Sequence, residues 1–502
     1  MKRFVTLLVT AVLVLAALGA AGPAAANTLT VASSGEPTTL DPQQTFNGYS
    51  FLVTNQVFDT LVTKDAEGFL PRLAASWDMV AETTWRFTLR EDVTFHNGDT
   101  FNAESVKFSI ERLIAPETAA AGAFVLSAVS SVEVVSEFVV DIHTERPFAP
   151  LLAHLTHPVT AIVNRNAVET FGEDIGQNPI GTGPFVFERW SSGDDVHLAA
   201  NAAYWGGAPA VENLLIRVIP EVSTQLVELQ SGSIDIMFHV PPDQLATIER
   251  NPNISVFKEL GWGSTFIGFN TEGEATGDQR VRQAILHALD RDSIVHQLRS
   301  GMAEEAAALI PRTVWGAHAD LEPYSFDLDL AEDLLEAAGY ADGLQLTLVT
   351  YQNDELYQLA QAMQFLLGQI GVELTVQMMD YGAYVGRTSG GDYDLFLSGW
   401  GTVTLDADYT LYALLHSSEI PENNSTFYRN ERVDQLLEEG RATADMERRL
   451  AVYHEIQEII HEEAPIATVY YPLFSYAKQA RVQGENIPFS WINLDVANVT
   501  LD

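Results

Sequence analysis

Not one of the 502 residues is cysteine, although the N-terminus reads as an export signal. Lys2 and Arg3 supply the positive start, Phe4 to Ala20 the apolar run, and Ala24-Ala25-Ala26 a small-residue cleavage site before Asn27. An exported chain without disulfides must be held together by core burial alone, and this one is long enough to build the core it needs. A cleaved signal over residues 1–26 is preferred to a membrane anchor, because the apolar run sits at the short limit for a span. The missing cysteine also removes the usual bacterial lipid-attachment residue after the signal. A soluble monomer, free in a Gram-negative periplasm, is therefore expected.

The charge excludes one large class of partners. There are 27 Lys+Arg against 68 Asp+Glu, and loss of Lys2 and Arg3 with the signal takes the net charge from −41 to −43. Nucleic-acid binding needs a basic patch to neutralise phosphates, and none can be assembled here. Such an acidic surplus repels itself unless salt screens it, which suggests a salt-rich habitat.

The length suggests more than one domain. Thr28 to Ser34 alternates as a strand; "WRFTLRED" alternates again before the turn dipeptide Asn97-Gly98, expected to supply positive φ at both residues. Asn102 is placed to cap a helix carrying Val106, Ile110 and Leu113 on one face. Pro179 to Asn270 is rich in short strands, and the texture changes after Asn270. One helical face runs through Val281, Ile285, Leu289, Val295 and Leu298. Further on, "LQLTLVTY", "ELYQLAQAMQFLLGQIG" and "VELTVQMM" read as strand, helix, strand, which argues for a βαβ unit in a second domain. A strand ends at Trp400, a helix over Glu447 to Glu462 stops before Pro465, and the closing strand material can return to the first domain. The fold class expected is α/β: two lobes forming a hinged clamp, with a ligand buried in the cleft between them.

Residues that carry chemistry are sparse. His96 in "FHNGD" lacks catalytic partners and reads as scaffold. "GTGP" at Gly181 has no following Lys-Ser/Thr pair, so it is no phosphate cradle; its glycines suit a tight chain crossing. "HEIQE" at His454 lacks the second histidine of a zinc protease helix. His154 and His157 have helical spacing, but Pro158 interrupts it and no neighbouring carboxylate completes a metal site. No nucleophile elbow of the G-x-S-x-G type occurs. Asp406 and Asp408 in "LDADY" suit a ligand cation or the cap of the next helix, with Asp408 the residue before "YTLYALL". No catalytic residue, metal or cofactor is expected. Trp400 ends a second-lobe strand, where ligands of α/β sheets settle, and the loop from Gly401 to Tyr409 follows it.

The run "PRLAASWDMVAETTWRFTLREDVTFHNGDTFNAESVKFS" resembles the conserved segment of family 5 extracellular solute-binding proteins, the peptide- and nickel-type receptors of ABC importers. "PIGTGPFVFERW", "YWGGAPAVENLLIRVIP", "VRQAILHALDR" and "AEDLLEAAGY" match in the same order. "LLAHLTHPVTAIV", "FGEDIGQNPIGTGPF" and "DADYTLYALLHS" look most like the glutathione-binding branch. The resemblance implies a large lobe over 27–268 with a subdomain insertion at roughly 45–178, a second lobe over 269–479, and a return of 480–502 to the first. Crossovers would lie near Phe269-Asn270 and Tyr476 to Gln479. It also implies cleft residues Phe46, Asn47 and Tyr49, beside Trp400, Asp406, Asp408 and Tyr409, with Trp262 either in the cleft or in interlobe packing.

Peptide receptors of the family hold the solute's α-amine with an aspartate that falls here on Val403. Their carboxylate-binding arginine falls near Gln352 or Asn353. Both charges are missing, which argues against a dipeptide anchored at both ends and leaves glutathione or another peptide-like solute as the first choice. The implied partners are ABC permease subunits in the inner membrane. Another solute, such as an oligosaccharide or a metal chelate, and a secreted hydrolase are the alternatives.

Overall fold

The computed structural model describes residues 27–65, 68–120, 122–484 and 494–502; the expected export signal lies outside the described residues. A twelve-stranded mixed sheet forms the spine, and a single long strand, Ile466–Gln479, belongs to both of its halves. Its β-branched and aromatic residues (Ile466, Thr468, Val469, Tyr470, Tyr471) suit a strand buried on both faces. At its middle stands Pro472, which cannot donate to a ladder, and there the strand changes partners. Residues before it pair with Gly263–Phe269 and Ala303–Glu305; residues after it pair with Ile254–Leu260 and Ile236–Phe238. The second crossing is made by residues 261–262, between Ile254–Leu260 and Gly263–Phe269. These partner changes fall ahead of Phe269-Asn270 and Tyr476 to Gln479 in the chain.

Each half is a sheet with two cores. In one half, Val31 faces a core with Leu52, Phe185 and Ile216, while its neighbour Ala32 faces another with Leu229, Met237 and Ile248. In the other half Ile267, Leu348 and Leu397 share one face, and Phe266, Val349 and Phe396 share the opposite one. This is the two-residue period of a strand read out twice. The predicted strand–helix–strand unit is present as Leu344–Tyr351, Asp354–Gly368 and Val372–Met379, with the two strands parallel.

A separate antiparallel sheet, in the order Ala74–Ala81, Thr84–Leu89, Val139–Thr144, Val129–Ser136, carries the helix Ala103–Ile114. Asn102 caps that helix in a reciprocal box with Ser105, as its position suggests, and Val106, Ile110 and Leu113 are buried on the sheet.

Three local readings are corrected. Only Gly98 of the Asn97-Gly98 turn has positive φ. Gly181 and Gly183 serve close approach rather than turning: a Cβ on either would lie within 2.6 Å of the Gln56–Val57 backbone. The helical face expected from Val281 to Leu298 is broken, since the helix Gln279–His287 ends and Asp290 caps a new short turn by accepting from Ser293 N.

Candidate functional site

Parallel strands bind ligands beyond their carboxyl ends, where loops diverge and backbone groups are free to reach a guest. In the first half, Thr28–Ser33 and Ile236–Phe238 run parallel and end side by side. Ser33, Ser34, Tyr49, Phe238 and His239 border a small cavity of about 10 Å³ there. His239 adopts φ 56°, held by its backbone N donating to Ser475 O at 2.7 Å. Burial pushes the pKa of its imidazole down, so the ring is neutral. Nothing in the sequence singled out Phe238 and His239; the signal was available as the end of a short apolar strand. In the second half, Leu395–Gly401 runs parallel to Leu344–Tyr351 and ends at Trp400 and Gly401.

Between these ends the two halves meet through rings. Phe46 stacks on Phe124 at 5.5 Å and packs against His157 at 5.4 Å. Tyr409, from the other half, lies 6.0 Å from Phe124, 5.8 Å from His157 and 5.8 Å from Trp400. Trp262 and Trp400 pack against the core of the antiparallel-sheet region as well as their own, and Val403 packs against the former. Trp262 thus stands in the contact between halves.

Polar accounting at this contact does not balance. Of nine buried side-chain nitrogen or oxygen atoms without a hydrogen-bond partner among the described residues, four lie here: Trp262 Nε1, Trp400 Nε1, His157 Nε2 and Thr404 Oγ1. Buried indole N–H groups ordinarily find an acceptor, so such a concentration needs a reason. His157 Nδ1 accepts from Val159 N at 3.2 Å, which leaves the proton of the neutral ring on Nε2. Desolvation, with His154 as the smaller cause, brings the His157 pKa down to about 3, so the ring stays neutral. The unpaired groups are then three N–H donors and one hydroxyl.

The two aspartates are committed elsewhere. Asp406 is buried and receives Arg449 at 2.8 and 2.7 Å, and its side chain also caps the helix Ala407–Leu415 by accepting from Asp408 N. Asp408, also buried, receives Arg441 Nε at 2.9 Å and Nη2 at 3.1 Å, and faces His154 Nε2 at 3.2 Å. Burial opposes its charge, but Arg441 and His154 prevail and lower its pKa. Neither carboxylate is left for a ligand cation, the cap is Asp406 rather than Asp408, and the carboxylate held absent near His154 arrives from Asp408, 254 residues away. Among the described residues no group of three or more potential metal ligands forms.

Asn47 caps the helix Gly48–Val57 by accepting from Ser50 N at 3.1 Å, and so fixes the start of the turn that carries Tyr49. Phe46 remains 40% exposed. Asn353, near the position of the missing arginine, likewise caps a helix, accepting from Leu356 N. His96 bonds Gly183 O at 3.0 Å, its pKa lowered by burial, as a scaffold residue would.

The family described as "Bacterial extracellular solute-binding proteins, family 5 Middle" matches residues 68–422. The glutathione-binding protein GsiB of Salmonella typhimurium is 30% identical over 507 residues, covering 99% of this chain and 98% of that protein. The fold is similar to a periplasmic binding protein, DppA from Helicobacter pylori with peptide STSA, at TM-score 0.84 and 28% identity over 94% of this chain and 98% of that one. NikZ from Campylobacter jejuni with Ni(L-His) superposes at TM-score 0.82 with 26% identity, over 94% and 99% of the two chains. No helix among the described residues is long and apolar enough to cross a membrane. The fold is that of a two-lobe α/β clamp, and the chain belongs to the family 5 bacterial extracellular solute-binding proteins.

Proposed function

We propose that the chain is the receptor of an ABC importer, which captures a peptide-like solute, glutathione or a short peptide, and delivers it to permease subunits in the inner membrane. The lobes, in this reading, hinge at residues 261–262 and at Pro472, the two places where strands change sheet. Trp400, Tyr409 and Phe46 are the ring walls of the cleft, and Tyr49 with Ser33 and Ser34 forms its floor. Asp406 and Asp408 brace the second wall instead of touching solute. The mature protein acts in the periplasm, with the signal removed near Ala26.

One observation carries this reading: the four unpartnered polar groups at the ring-lined contact. Three are donors, and no free carboxylate stands among them to take an ammonium group. Such a surface favours a solute rich in carbonyl and carboxylate oxygens, which is what a peptide-like molecule offers. A solute that binds the closed state better than the open one shifts the lobes toward closure, and micromolar affinity asks for only about 8 kcal/mol. Glutathione is bound by the Salmonella relative and a peptide by the Helicobacter one.

Calorimetry and thermal unfolding against glutathione, di- and tripeptides, nickel–histidine chelates and oligosaccharides test it. A peptide-like solute is expected to raise the melting temperature and to be recovered unchanged. Trp400→Ala is expected to weaken that solute by about 30-fold, in the range of buried aromatic anchors. A response to chelates or sugars alone would replace the solute class, and recovery of cleaved solute would replace the receptor with a hydrolase.

A further inference from the structure

We propose that the second lobe holds a separate site for a small monovalent anion, a halide or a short carboxylate, on the guanidinium of Arg291. A small cavity of about 10 Å³, room for a single small guest, lies between the helix Met446–Glu463, the start of the strand Ile466–Gln479, residues Ala306–Ala307 and Tyr324, and Arg291 lines it. None of its lining residues belongs to the cleft described above.

Arg291 is only 4% exposed. Its Nη1 donates to Leu286 O and Tyr324 O, each at 3.1 Å, while the buried Nε has no acceptor. No carboxylate forms an ion pair with it at 4.0 Å or less among the described residues. Arg441 and Arg449 each lie against an aspartate. Arg282, like Arg291, donates to backbone carbonyls, those of Glu463, Thr276 and Gly277, but its Nε is engaged, on Glu463 O at 3.0 Å. A buried charge without a counterion is costly, and in a chain with 68 acidic residues a counterion is the easiest thing to supply. Here no carboxylate is in direct contact: Glu305 acts on the guanidinium only from beyond pairing distance, the Tyr324 ring lies 5.9 Å away, and a small cavity adjoins it.

The remaining polar walls are occupied. Tyr324 donates its hydroxyl to His461 O; Gln457 Nε2 donates to Gly316 O and Tyr453 O; Thr468 donates to Leu309 O at 3.3 Å. Burial, followed by the Arg291 charge, lowers the pKa of the His461 imidazole, so it adds no second positive charge. Burial brings Arg291 itself down to about 10, which still leaves it a cation at neutral pH. Alanine, leucine and isoleucine side chains form the rest. The cavity therefore offers one positive charge, a free N–H and apolar walls, which match one small anion.

Anomalous diffraction from crystals of the whole protein soaked in bromide tests the site directly. A bromide peak within hydrogen-bonding reach of Arg291 Nε is expected, and its absence overturns the proposal. Soaks with added formate or acetate separate the occupants: loss of the peak identifies a short carboxylate as preferred, and persistence identifies a halide. In solution, gluconate is replaced stepwise by chloride, bromide or formate at constant sodium and ionic strength, because so acidic a chain responds to salt in general. A saturable rise of about 2 °C in melting temperature is expected for the small anions. Arg291→Met is expected to abolish the rise, and survival of the full rise in that variant overturns the assignment. Should the variant not fold, the diffraction experiment on the unaltered protein decides.

Discussion

The two walls that meet at the cleft are built from different materials. The wall from the first lobe is aromatic and uncharged: Phe46, Phe124 and a neutral, buried His157 rest on short turns and helix starts. The wall from the second lobe is aromatic in front and ionic behind. Trp400 and Tyr409 stand before Asp406–Arg449 and Asp408–Arg441, with Tyr453 bonded to both pairs through Arg449 at 3.0 Å and Asp408 at 3.4 Å. Two buried charge pairs sharing one phenol hold their geometry only as a set, so the second wall is rigid. The first carries one such pair close to Phe46 in the chain, Asp41–Arg112 with Gln43 on the same guanidinium, rather than two pairs tied through a phenol, so its rings are the freer to adapt. The walls also touch directly, through His154 on Asp408 and through Ala149 N donating to Arg441 O at 2.7 Å.

The contrast breaks most severely if the ionic set is cut. Arg449→Met would leave Asp406 buried without its partner, and a loss of about 3–5 kcal/mol in urea unfolding is expected. A loss below about 1 kcal/mol would show that the network does not brace that wall.

Acid separates the walls next. The His157 pKa lies near 3 in the folded chain and about 6.5 in the unfolded one. Between those values the unfolded chain binds a proton that the folded chain refuses, so stability falls as the pH drops below about 6.5. By pH 4.5 the deficit reaches about 2–3 kcal/mol. The lowered pKa of Asp408 works in a different window: its contribution is complete above about 3.9 and fades only below that. His157→Phe is therefore expected to reduce the slope of the stability profile between pH 6.5 and 4.5, measured by denaturant melts at each pH, while the other histidines whose pKa burial lowers, such as His96 and His239, keep part of it. An unchanged slope would remove His157 as the acid-sensitive group.

The smallest effect belongs to the adaptable side. Phe46→Ala removes a ring that is already 40% exposed, and a cost of about 1 kcal/mol or less in folding stability is expected, with a larger proportional loss in solute affinity. A stability loss as large as that of Arg449→Met would mean that the first wall is as rigid as the second.

Much of this architecture was legible before any coordinates. Thr28–Ser33, Leu344–Tyr351 and Leu395–Gly401 followed from alternation, and Asn102 from its place before an apolar helical face. These signals are local, carried by neighbours in the chain. The strand Ile466–Gln479 was legible as strand, but its membership of two sheets was not, since strand partners are not written into the strand itself. Trp400 was legible as a strand end, whereas the free N–H on its ring was not. The same limit explains the aspartates. "LDADY" shows two acids close together, and only folding brings Arg441, Arg449 and His154 to them from 33, 43 and 254 residues away.

By itself, then, the sequence determined an α/β protein with strands, helices and caps in nearly their observed places, because periodicity and turn chemistry act over a few residues. The tertiary structure alone decided which charges are spent and which donors are left waiting. Ion pairing and desolvation depend on distance through space, and in a chain this acidic almost any carboxylate looks available until its partner arrives.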